Sequence, residues 1–149
     1  MQESFHEKVA NAAEKIASLM PSYISSFSKE EKDGYIEVVL GNPSQEEKPI
    51  WISTAGEEIT FVFAESHFHI SDYSEETKAE ELIEEMISAI VRIVTGVDLT
   101  YSAWLNDSSL GGGFIESKPQ LNEIGTAFKK ANKFKICGWE IESNQVINI

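Results

Sequence analysis

Apolar residues at Phe5, Val9, Ala12, Ala13, Ile16, Leu19 and Met20 draw one stripe along a helix. Ser4 stands before the stripe and Glu7 three residues later, the pattern of a capping box in which each side chain accepts the other's amide. Pro21 disfavours an α conformation at Met20, so the helix ends or kinks there. Tyr23, Ile24 and Phe27 would carry the buried face a turn or two further, and "SKEEKDG" then reads as a solvated turn.

The period now changes to two. "YIEVVL", bounded by Gly34 and Gly41, is a strand by its β-branched content, and "GNPSQEEKP" is a loop by composition. "IWIST" and "EITFVFA" read as strands of a hairpin turning at Ala55 and Gly56. In "FVFAESHFHIS" the apolar face sits on odd positions at Ile59, Phe61 and Phe63, but on even ones at Phe68 and Ile70. A bulge or turn near Glu65 and Ser66, or a strand covered on both sides, would account for the switch.

After Ser71 the period returns to 3.6. Ala79, Leu82, Ile83, Met86, Ile87, Ile90, Ile93 and Val94 share one face, while Glu76, Glu80, Glu81, Glu84 and Glu85 crowd the other. Ser74 suits the N-cap and Gly96 the position after the last turn. "VDLTYSAWL" alternates as a half-buried strand, "NDSSLGGG" reads as a flexible turn, and "LNEIGTAFKKANK" is weakly helical around Ile124 to Lys130. "FKICGWEIE" is a last strand with which "VINI" can pair across Ser143 and Asn144. The order predicts a single α+β domain over residues 1–149. Its antiparallel β-sheet would carry the N-terminal helix and a long central amphipathic helix on one face.

Composition narrows the function. The chain has 12 basic and 25 acidic side chains, a net charge of −13. All of that excess lies in residues 1–100, with 20 acidic and 7 basic groups against 5 and 5 in the remainder. Such a surface repels phosphate backbones, so nucleic acid is disfavoured as a partner. It favours solubility and encounter with a basic protein. A charged start, no apolar run of roughly 18 residues, and a single cysteine, Cys137, give the expectation of a cytoplasmic chain with no membrane partner.

Little in the chain announces catalysis. His67 and His69 lie two apart, so on a strand they share a face with about 6.5–7 Å between Cα atoms. Glu65 would fall on that face too, giving Glu-x-His-x-His, a candidate metal set of Glu65, His67 and His69 for a metal-assisted hydrolase. A second ligand motif is missing from the sequence, and displayed histidines are the simpler reading. "GGGF" (111–114) lacks the Lys-Ser/Thr of a phosphate loop, and Ser108 and Ser109 lack a nucleophile-elbow context. Cys137 reads as a buried thiol, and Trp51, Trp104 and Trp139 read as sheet packing.

The aromatic strand with His67-Phe68-His69, the amphipathic helix after it and the Trp-containing strand, over roughly Ile50 to Leu105, resemble small acidic bacterial immunity proteins of polymorphic toxin systems. The resemblance implies a cytoplasmic, non-enzymatic protein without cofactor that binds and neutralises a toxin domain, and it carries over no catalytic residue. On that expectation the contact surface combines His67 and His69 with Glu76, Glu80, Glu81, Glu84 and Glu85. A self-associating subunit, for instance a homodimer joined through a sheet edge, is the remaining class.

Overall fold

The computed structural model describes residues 4–71, 79–116 and 128–148. Among the described residues, two α-helices and nine strands form an α+β architecture with two antiparallel sheets. Helix α1 spans Phe5–Leu19, and its capping box is formed: the Glu7 amide donates to Ser4 Oγ over 3.2 Å, and the Ser4 amide donates to Glu7 Oε2 over 3.3 Å. The helix stops at Met20, ahead of Pro21. Ile24 is buried beyond it while Tyr23 is exposed, and Phe27 already belongs to the first strand.

That strand, β1 (Phe27–Lys32), corrects the expectation of a solvated turn. Five of its six residues are exposed, and it pairs with β2 (Tyr35–Leu40) at the edge of the first sheet. Charges such as Lys29, Glu30 and Glu31 on an edge strand deter further pairing, so polarity here signals an edge and not a loop. The sheet continues through β3 (Ile50–Ala55), β4 (Glu58–Phe63) and β5 (Ser66–Ser71) in simple sequential order. Phe63 pairs with Ser66, so the face switch is a tight hairpin turn at Ala64 and Glu65, with Ala64 in the left-handed region at φ 54°.

Alternation buries Ile36, Val38, Leu40, Ile50, Ile52, Ile59, Phe61, Phe63 and Ile70 on one face. Both helices pack there: Val9, Ala10 and Ala13 of α1 meet Leu82, Met86, Ile90, Ile93 and Val94 of α2 in the same core. Among the described residues α2 runs Ala79–Val94, 16 residues, so the long central helix reduces to one of ordinary length. The expected N-cap Ser74, and Glu76 of the glutamate face, lie outside the described residues. Gly96 follows the last turn at φ 80°, and Arg92 clamps Asp98 with two 2.8 Å hydrogen bonds that tie α2 to the next strand.

The second sheet has the order β7-β6-β8-β9, built from β6 (Asp98–Leu105), β7 (Ser108–Glu116), β8 (Lys133–Cys137) and β9 (Gln145–Asn148). The sequence predicts one sheet, with a flexible turn over "NDSSLGGG" ahead of a short apolar piece "FIES"; the structure instead has two sheets, and β7 runs through both of those stretches. Only Asn106 and Asp107 turn; the glycines after them are strand, because space is short. A Cβ on Gly112 would lie 2.3 Å from the Tyr101 carbonyl oxygen and 3.3 Å from Ser66 Oγ. The sheets meet at β5 and β7, where Phe114 packs edge-on to Phe68 at 5.0 Å and Ser66 Oγ donates to the carbonyls of Tyr101 and Gly113.

Polar side chains fasten the remaining loops. Asn42 and Gln45 from the β2–β3 loop donate to the carbonyl of Trp139 at 2.9 and 3.1 Å, and Asn144 donates to Gln45 Oε1 at 2.6 Å. Buried amides paired in this way hold the β2–β3 loop against the segment that follows β8.

Candidate functional site

The register of the first sheet decides where the histidines go. His67 lies opposite Val62 and His69 opposite Thr60, on the face turned away from buried Ile59, Phe61 and Phe63. Both are exposed, with ring centroids 5.4 Å apart. His69 Nδ1 lies 2.6 Å from Glu58 Oε1 and 3.1 Å from Thr60 Oγ1, so a carboxylate and a hydroxyl orient that ring.

Glu65 does not join them. It sits in the β4–β5 turn, and its Oε2 accepts a 2.9 Å hydrogen bond from Ser102 Oγ on β6. The turn overrides the period-two spacing, so the set Glu65, His67 and His69 is not one chelating face. Among the described residues no group of three His, Cys, Asp or Glu side chains is placed to hold a metal ion.

The outward face carries an ordered pattern. Val39, Trp51, Val62 and His67 are successive register partners across β2 to β5, forming one row in which the first three are half-buried and His67 is exposed. The next row places Glu30 beside Glu37, then Ser53, Thr60 and His69. With Glu58 two residues from Thr60 on the same side, an apolar stripe is bordered by carboxylates. The described helices both lie on the opposite face, so neither covers it.

Glu80, Glu81, Glu84 and Glu85 are exposed on α2, with Glu80 lying 3.7 Å from Lys8 in a solvated ion pair. The buried side of that helix meets the inner face of the first sheet. The glutamates therefore point away from the sheet, on the far side of the molecule from His67 and His69. The surface expected to combine them is two surfaces, and Glu76 lies outside the described residues.

A third feature was not anticipated. Residues from five parts of the chain line a cleft of about 130 Å³ where the second sheet meets the β4–β5 turn; Lys48, Glu65, Thr100, Ser102, Lys135 and Cys137 are among its lining. Thr100 pairs with Cys137 and Ser102 with Lys135, so these four share one sheet face. Ser102 Oγ receives the Trp104 indole N–H at 2.8 Å and donates to Glu65, a short relay that holds the carboxylate over the cleft. Lys48 Nζ lies 3.4 Å from Cys137 Sγ. Burial raises the Cys137 thiol above its ordinary range, and the Lys48 ammonium opposes that shift only in part. No spacing could have revealed this cleft, because only the topology brings positions 48, 65, 102 and 137 together.

No helix among the described residues is long and apolar enough to cross a membrane. Comparison of the chain with family models, with curated proteins and with solved structures finds no match.

Proposed function

We propose that the protein is a non-enzymatic binding module whose outward sheet face receives a basic protein, as an immunity protein receives a toxin domain. The supporting observation is the row Val39, Trp51, Val62 and His67, bordered by Glu30, Glu37 and Glu58 and covered by neither described helix. Stable interfaces combine an apolar centre holding an aromatic anchor with a polar rim, and Trp51 stands at such a centre. A cationic partner meets the carboxylates as rim contacts and leaves the tryptophan to supply most of the affinity.

The helix glutamates take a different part. Lying on the far side, Glu80, Glu81, Glu84 and Glu85 add to a net charge of −13 that draws a cationic protein in before contact. Self-association through the same face would instead set the carboxylates of one copy against those of another, which repulsion opposes.

Co-expression with any basic toxin-like domain found encoded beside its gene tests the reading, and the lack of such a neighbour would count against it. The wild-type chain should co-purify with that domain at equal stoichiometry and relieve its toxicity. Trp51→Lys, which leaves the buried face intact, should abolish both. Undiminished co-purification by Trp51→Lys, or no association of the wild type, would refute the sheet face as the contact.

A further inference from the structure

The cleft beside the β4–β5 turn has a chemical inventory that the sheet face does not use. Among the described residues neither Lys48 nor Lys135 is ion-paired with a carboxylate. The Lys48 ammonium rests against the Cys137 sulfur, and the Lys135 ammonium lies 4.2 Å from the centre of the Trp104 ring. In a chain with 25 acidic and only 12 basic side chains, two such lysines on one small cleft form a local positive excess.

The hydroxyls on the sheet face shared by Lys135 and Cys137 are already committed, as is the Asn144 amide. Thr100 Oγ1 donates to the Cys137 carbonyl, Ser102 is held between Trp104 and Glu65, and both polar atoms of the Asn144 side chain are bonded. What remains is ammonium donor capacity on one side and the second oxygen of Glu65 on the other. The volume of about 130 Å³ is close to that of a cavity able to admit benzene, on the order of 150 Å³. A ligand of about six non-hydrogen atoms fits that space.

We infer that the cleft binds a small organic carboxylate carrying a hydroxyl or amino group. Its carboxylate is met by Lys48 and Lys135, its donor by Glu65, and its short carbon body by Ala64 and Val146, the register partner of Lys135. Charge-assisted contacts of this kind are the strong ones, and a partly enclosed site raises their worth.

Titration of the isotope-labelled protein by NMR, with four small probes, tests the assignment. L-Lactate and L-alanine should give saturable shifts at the amides of Glu65, Ser102 and Cys137, with Kd of about millimolar order. Propionate, lacking the donor, should bind at least about tenfold more weakly, and ethylamine, lacking the carboxylate, should give no shift. Lys48→Met should erase the response to lactate and alanine, and Glu65→Gln should reduce both to the level of propionate. Lys135→Met provides a second cation variant, and the dispersion of each spectrum reports folding. Linear, unsaturable shifts with lactate and alanine, or unchanged affinity in folded Lys48→Met and Lys135→Met, would overturn the proposal.

Discussion

The indole N–H of Trp139 donates to the backbone carbonyl of Tyr23 across 2.7 Å, joining residues 116 positions apart. Trp139 is fully buried against Phe63, and its own carbonyl accepts from Asn42 and Gln45. One residue therefore links the segment after α1, the β2–β3 loop and the end of β8. Trp139→Phe keeps an aromatic ring but removes this part-buried hydrogen bond, at a cost of about 0.5–1.5 kcal/mol before any cavity is counted. Urea unfolding should show that fall with an unchanged m-value; a difference below a few tenths of a kcal/mol would refute the linking role.

Gly138, beside it, has no room for a side chain. A Cβ there would stand 2.5 Å from Ser143 Cβ and 2.8 Å from Leu99 Cδ2. Gly138→Ala should lower stability by about 1–3 kcal/mol through forced displacement of the short helix over Ile141–Ser143. The thermal midpoint checks this, and an unchanged midpoint would mean that the segment yields freely.

Ala64 presents the opposite case, a side chain where the backbone prefers none. Its φ of 54° costs an L-residue about 1–2 kcal/mol, and glycine would return about 0.5–1 of that as chain entropy. Ala64→Gly should therefore be neutral to slightly stabilising, whereas Ala64→Val should be clearly destabilising. A drop in the urea midpoint for Ala64→Gly would contradict the turn geometry.

This turn also shows why part of the fold was legible in the sequence and part was not. Helix α1 was readable because its capping box and stripe agree, and β2 to β4 because β-branched runs lie between glycines. The β4–β5 hairpin hid because Ala64 and Glu65 include none of the residues that usually mark a turn. The alternation still registered the reversal as a change of face. Strand β1 was obscured by its protective charges, and β7 by glycines that serve close approach between the sheets. At the site, spacing placed His67 and His69 correctly on one face but misplaced Glu65, since the same turn carries it to Ser102. The cleft depends on long-range contacts throughout, so no local pattern encodes it.

Cys137 gives a pH dependence with a defined sign. Burial raises its thiol above the ordinary 9.0, so the folded chain holds that proton more tightly than the unfolded chain does. The contribution is complete below the ordinary thiol range and is lost as pH rises through the folded value. Relative to Cys137→Ala, the wild type should lose stability as pH rises above the ordinary thiol value of 9.0. Parallel profiles for the two proteins would contradict a buried, protonated thiol.

The binding account rests on Trp51 as the centre of a contact surface. Three tryptophans give three indole N–H signals, and only Trp51 belongs to the outward face of the first sheet. Adding the co-purifying basic domain to isotope-labelled protein should shift or broaden the Trp51 indole signal in proportion to complex formed. The buried Trp139 signal should stay in place. A complex that forms while the Trp51 signal remains unmoved, with changes confined to α2 or to Trp104, would contradict the account.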